Sequence, residues 1–168
     1  MYLATVPRLL VYIFMLLIVM PSLVFAQSTV NLTPGEASMD EATQGSGGFI
    51  VTRDDAGNKN AAILVFVDYA GSATFNTDFT STNLTGYAPN TYWVQIPAGQ
   101  NSAGVVLTPI KDFVIEGDES LKFTLAAAVT VHGDYTVGAQ TTAEMTILDL
   151  VDIIFLDSFE DRETLTNN

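Results

Sequence analysis

An antiparallel β-sandwich of about seven strands is the fold class this sequence predicts, and three observations predict it. Short apolar runs alternate with polar neighbours at the two-residue period of a half-buried strand. The segments between them are rich in Gly, Pro, Asn and Asp, which punctuate strands as turns. No helix-period pattern follows residue 26.

The chain has 168 residues. Its start reads as a secretory signal peptide over residues 1–26: one positive side chain, Arg8, precedes the apolar run Leu9 to Met20. Pro21 then ends the run, and Val24-Phe25-Ala26 offers the small residues a signal peptidase reads. An uncleaved anchor is the competing reading, but the run is short against the roughly 20 residues that span a bilayer. Cleavage after Ala26 sends the chain to the periplasm, the cell surface or the medium, with no membrane span left. It also removes Arg8 and no acid, taking the net charge from -13 to -13 - 1 = -14.

Residues 27–149 carry the strands. Val30 and Leu32 mark the first, Phe49 and Val51 the second, and Ala62 to Tyr69 a longer run rich in Val and aromatic residues. Asp54-Asp55-Ala56-Gly57-Asn58, between the second and third, predicts a hairpin turn; its spacing does not follow an EF-hand calcium loop. Thr80 to Thr91 has no apolar period and reads as the longest exposed loop. Tyr92, Val94 and Ile96, then Val105 and Leu107, flank a turn at Pro97 to Asn101. Tyr92 and Trp93 are adjacent and so face opposite sides of their strand, one of them as a core anchor. Leu121, Phe123 and Leu125 form the next strand, and Met145 and Ile147 the last. The sandwich is of the immunoglobulin-like kind with Greek-key connections, but with no Cys to pin its sheets.

Charge narrows the partners. The chain carries 19 Asp and Glu against 6 Lys and Arg, so nucleic acid and anionic lipid are repelled while divalent cations are attracted. Without disulfides an exported domain of this size rests on its core, on a bound metal, or on both.

The densest acid lies in Ile110 to Leu125. Asp112, Glu116, Asp118 and Glu119 surround Gly117, and the chain then passes directly into the alternating Leu121, Phe123, Leu125. An acidic turn feeding a half-buried strand is a place where hard oxygen ligands are held rigidly.

The order of several segments resembles the Calx-beta domain over roughly Val30 to Asp149. The segments are Glu41 before a Gly-rich turn and Phe49 to Arg53, then Ala73-Thr74 leading to Thr77 to Thr80, then Ile96 to Gln100. Ile110 to Glu119, Tyr135 to Gly138 and Thr146 to Asp149 complete them. The resemblance implies a seven-stranded sandwich with calcium at one end, and carried over residue by residue it implies Glu41, Asp78, Asp112, Glu116, Glu119 and Asp149 as ligands. Two positions depart from the family pattern: Lys111 stands at the first acidic place of the turn, and Leu150-Val151 stand where further Asp is frequent. Fewer ions and weaker binding are therefore expected, with the Lys111 ammonium substituting for a lost ion as a compact point charge.

Little points to catalysis. His132, the sole His, adjoins Gly133-Asp134 in an expected loop, and neither a Cys nor a Gly-x-Ser-x-Gly elbow is present. Glu116 and Glu119 form a carboxylate pair, but a glycosidase sets such a pair in an aromatic-lined cleft. Asn31-Leu-Thr and Asn83-Leu-Thr fit the glycosylation pattern. After Asp149, residues 150–168 contain the apolar Ile153 to Leu156, an added edge strand or a sorting and docking tail. The Ile-Phe-Leu-Asp-Ser-Phe-Glu stretch within it resembles a terminal signature of exported proteins, with Ser158 in place of its Gly. Three function classes stand: a calcium-binding structural, adhesive or protein-interaction module, a metal-free scaffold of the same fold, and, most distantly, a carbohydrate-active or hydrolytic enzyme.

Overall fold

The computed structural model describes residues 27–54, 59–112, 114–129 and 135–149. The signal-peptide segment, most of the Asp54 to Asn58 turn, Phe113, His132 and everything from Leu150 onward lie outside the described residues. Eleven strands are present among the described residues: β1 (Ser28–Pro34), β2 (Ser38–Asp40), β3 (Gly47–Arg53), β4 (Ile63–Gly71), β5 (Phe79–Thr82) and β6 (Thr85–Ala88). They continue as β7 (Thr91–Ile96), β8 (Ser102–Pro109), β9 (Glu119–Leu125), β10 (Tyr135–Val137) and β11 (Thr142–Leu148). One sheet has the order β10-β1-β3-β8-β5, the other β2-β11-β9-β4-β7-β6.

The expected sandwich is therefore present, and each of its seven expected strands has a counterpart in β1, β3, β4, β7, β8, β9 and β11. The period-two apolar positions meet between the sheets. Val30, Leu32, Val51 and Leu107 from one sheet, with Val65, Val67, Val94 and Phe123 from the other, are fully buried. Each large side chain so buried contributes on the order of 2 kcal/mol. Tyr92, not Trp93, has the parity of inward-facing Val94 and Ile96.

Three expectations need correction. Thr80 to Thr91 is not a loop, for it contains β5 and β6. These are edge strands, β6 fully exposed, held by backbone pairing to β8 and β7; no apolar alternation was needed to form them. The segment around Asp54 to Asn58 does not close a hairpin, because β3 and β4 belong to different sheets and the chain crosses between them. Nor is the sandwich wholly antiparallel. β1 pairs β10 and β2 pairs β11 in parallel, because both ends of the domain divide between the sheets and run side by side.

The strand directions define two poles. Along the β3 and β8 pair, Gly47 lies opposite Leu107 and Thr52 opposite Ser102. The Gly47 pole gathers the 41–46 turn, the 72–78 loop, the 110–118 segment and Asp149. The other pole is closed by Arg53, buried at the end of β3. Its guanidinium donates to Gln100 O at 2.8 Å, Ala61 O at 2.9 Å, and Lys59 O and Pro97 O at 3.2 Å each. Five donors in a fixed fork suit four converging carbonyls.

Candidate metal centre

Backbone pairing brings the acidic residues to one pole. Because β2 runs parallel to β11 with Asp40 beside Leu148, the residues that follow, Glu41 and Asp149, emerge together. Glu41 N donates to Leu148 O at 3.2 Å and the Glu41 side chain is only 5% exposed. Asp149 then ties in the acidic turn: its Oδ2 accepts from Glu116 N at 2.9 Å and Gly117 N at 2.7 Å. Gly117 sits at φ 83°, left-handed backbone that Gly adopts without the Cβ cost, and the turn depends on it. Asp118 Oδ1 in turn accepts from Asp149 N at 3.3 Å.

Asp78 arrives from a separate loop. The Thr74 carbonyl accepts from Thr77 N at 3.1 Å and Asp78 N at 2.9 Å, while the Asp78 carboxylate accepts from Thr74 N. Ile110 N donates to Asp78 O at 2.8 Å, joining this loop to the start of the acidic segment. Further along, Asp112 Oδ1 accepts from Val114 N at 2.8 Å, a local turn that holds the segment's shape.

Glu119 opens β9, and a serine clasp sets its place. Ser120 N donates to Ser72 Oγ at 2.9 Å and Ser72 N to Ser120 Oγ at 3.2 Å. Gly71 makes this approach possible, because at φ 153° a Cβ there would lie 2.1 Å from Ser120 O. Neither Gly71 nor Ser72 was singled out from the sequence, and Thr74 and Ser120 entered only as members of longer segments. A single Gly or Ser beside a strand carries no signal until its partner strand is known.

The result is a convergence of carboxylates. One oxygen each from Asp78, Glu116 and Glu119 lie within 4.8 Å of one another. Glu41 is electrostatically coupled to the same group: burial raises its pKa first, followed by the charges of Asp149, Asp112, Glu116 and Asp78. All six sequence-predicted residues thus come to one pole. Glu116 is raised by desolvation and by Asp78, Asp112 and Asp149. Glu119 is pushed up to about 7 by burial, then by Asp78, Glu116, a hydrogen bond with Asp78, and Glu41. Glu41 and Glu119 each bury an oxygen, Oε2, with no hydrogen-bond partner among the described residues. Lys111 stands at the margin, its Nζ donating to Ala42 O at 3.4 Å.

Beneath the carboxylates lies an aromatic floor. Tyr69 packs on Phe79 and Phe123, at ring-centroid distances of 5.8 and 5.1 Å, and Phe75 on Tyr92 at 5.3 Å. The Tyr69 hydroxyl donates to Ala73 O, and burial with the charges of Glu119, Tyr92 and Asp78 pushes its pKa up to about 12. These rings fill the core under the site and stiffen it from below. Carboxylates crowded over such a floor can hold a divalent cation or retain a proton.

No family model matches the chain, and no curated protein sequence matches it. Among solved structures, CBD12 from CALX1.2 is similar with a TM-score of 0.50 at 20% identity, over 72% of this chain and 44% of that one. That likeness shows a shared fold, the Calx-beta-like sandwich the motifs led one to expect. The apo-form Calx CBD1 domain matches at TM-score 0.49 and 19% identity, over 73% of this chain and 98% of its own. The calcium binding domain CBD12 of CALX1.1 matches at 0.48 and 20%, over 71% and 44%. This chain therefore spans less than half the length of the two CBD12 structures.

Proposed function

We propose that the acidic pole of this Calx-beta-like sandwich binds calcium, and that the chain is an exported module with a structural, adhesive or protein-interaction role and no catalysis of its own. The observation that carries the reading is the Asp78, Glu116 and Glu119 triplet, its oxygens within 4.8 Å of one another. Two ligands on one calcium, each 2.3–2.6 Å from the ion, lie at most about 5 Å apart, so the triplet fits a single ion. Glu41, Asp112 and Asp149 supply further carboxylates around it. Without a cation this arrangement is costly, as the raised Glu41 and Glu119 indicate. A cation would also give the buried Glu41 and Glu119 oxygens the partner they need.

The donor set favours calcium over softer metals. Every candidate ligand is a carboxylate, with neither His nor Cys in the triplet, and irregular clusters of hard oxygens suit calcium better than zinc or copper. Lys111 and the absence of Asp at 150 and 151 support a depleted site, with affinity near the 10⁻⁴–10⁻³ M typical of extracellular modules, as an order-of-magnitude estimate. Export is supported by the charged, apolar and small-residue pattern of residues 1–26.

Calorimetric calcium titration of the wild type against Glu119→Gln and Glu116→Gln tests the assignment. Saturable binding in the wild type, weakened at least about tenfold in each variant, is expected from the loss of one charged ligand. Equal binding by all three proteins would remove the triplet from consideration.

A further inference from the structure

A groove of about 430 Å³ opens on the flank of the sandwich, near the Arg53 pole. Its walls include Asn83, Thr85, Trp93, Gln95, Gln100 and Ser102. Among the described residues, not one that lines it is ionisable, on a chain that carries 19 acids and 6 bases. Trp93 and Gln95 alternate with the fully buried Val94 and Ile96, so they share the outer side of β7; Trp93 packs against the core and remains partly exposed.

We propose that this groove binds a neutral carbohydrate, with a sugar ring stacked on Trp93 and its hydroxyls bonded to the surrounding amide and hydroxyl side chains. The chemistry of the walls selects this class. Asn and Gln amides and Ser and Thr hydroxyls each offer donors and acceptors together, matching sugar hydroxyls that are also both. An anionic ligand would lack a cationic partner here and a cationic one a carboxylate. A wholly apolar ligand would cover Thr85, Gln95, Gln100 and Ser102 without offering their side chains a partner. The indole supplies a broad, flat, amphipathic face for the apolar side of a sugar ring. The volume lies in the ordinary range for a small-molecule site and suits a mono- or disaccharide unit.

The site is also built before any ligand arrives. β7 is paired on both sides, by β4 and β6, and Thr85 lies opposite Trp93. Asn83 Nδ2 donates to Gly104 O at 3.0 Å, leaving its amide oxygen as an acceptor. Arg53 holds the carbonyls of Pro97 and Gln100, fixing the turn that forms the groove's end. Such support lowers the ordering cost of binding. Hydrolysis is not part of the proposal, since glycoside cleavage takes a pair of carboxylates beside the sugar and the described lining residues include none. The groove is independent of the acidic pole, which lies at the far end of β8, roughly 24 Å from Ser102 at 3.4 Å per residue.

Trp93 is the only Trp in the chain, so its fluorescence reports this groove alone. The full chain is titrated with cellotetraose, maltotetraose, chitotetraose and mannotetraose, each to about 10 mM, and with tetragalacturonate as a charged control. At least one neutral probe is expected to give a saturable change in emission, insensitive to chelator. Gln95→Ala, at an exposed position, should weaken it about five- to tenfold, and Trp93→Phe, followed by calorimetry, should weaken it further. The proposal is overturned if all four neutral probes fail to bind, if tetragalacturonate binds as tightly, or if Gln95→Ala and Gln100→Ala both bind as the wild type does.

Discussion

Asp149 Oδ2 lies 2.7 Å from Gly117 N, joining the end of the last strand to the middle of the acidic turn. The same oxygen accepts from Glu116 N, so one carboxylate fixes the turn that presents Glu116 and Glu119. Asp149 is thereby a structural support in the metal-free protein as well as a candidate ligand. Asp149→Ala is expected to lose about 1–3 kcal/mol in chelator, from two charge-assisted hydrogen bonds, and to lose calcium affinity as well. Chemical denaturation in chelator checks this, and an unchanged midpoint would show that the turn holds its shape without Asp149.

Two glycines beside the site should differ sharply. At Gly117, φ is 83° and an added Cβ meets nothing within 4 Å, so Gly117→Ala should cost about 1–2 kcal/mol of backbone strain alone. At Gly71 the added Cβ would sit 2.1 Å from Ser120 O, and the Ser72 and Ser120 clasp would have to open. Gly71→Ala should cost at least about 2 kcal/mol and displace Glu119, weakening calcium binding. Paired denaturation curves test the order, and equal losses would contradict it.

Much of the fold was legible because it rests on local pattern, while the six candidate ligands were reached through the segment order that resembles the Calx-beta domain. Period-two runs such as Leu121, Phe123, Leu125 located each core strand, and ordered motif segments named six acidic residues that share one pole. What the pattern did not carry were features that depend on a distant backbone. β5 and β6 are edge strands, β6 exposed throughout, with no apolar alternation, so Thr80 to Thr91 read as a loop. The crossing between β3 and β4 produces the same turn residues as a hairpin would. Nothing local to Arg53 announces its role, because the four carbonyls that converge on it come from Lys59, Ala61, Pro97 and Gln100. The Trp93 groove was illegible for the same reason, since its walls come from three stretches of chain, 83–85, 93–97 and 100–104, brought together by strand pairing.

Lys111 offers a test of site depletion. Its Nζ reaches Ala42 O at 3.4 Å, at the edge of the carboxylate cluster, in the place where the motif has an acid. Lys111→Asp is expected to add a calcium to the stoichiometry or to tighten the existing one, because it exchanges a fixed positive charge for a ligand. Unchanged stoichiometry and affinity in a calorimetric titration would exclude Lys111 as the substitute for an ion.

The raised Glu119 makes stability depend on pH in a stated direction. A carboxyl whose folded pKa is about 7, against an ordinary 4.5, binds its proton more tightly folded than unfolded. Its contribution in metal-free protein is therefore greatest below about pH 4.5, declines as pH rises, and is gone above about 7. Relative to Glu119→Gln, the wild type in chelator should lose melting temperature across that window. Saturating calcium should abolish the difference in slope, since the ion takes the proton's place, and calcium affinity should fall as pH drops below 7. Parallel wild-type and variant profiles in chelator would contradict the assignment of the shift to Glu119.

The central claim, that the carboxylates at the Gly47 pole hold calcium, is tested most directly by the melting temperature of the chain in calcium and in chelator. Calcium at a hundred times its dissociation constant should stabilise the native state by about 2.7 kcal/mol, a rise on the order of 10 °C, and magnesium at the same concentration should do much less. A melting temperature indifferent to calcium and chelator alike would contradict the claim and leave the sandwich a metal-free scaffold.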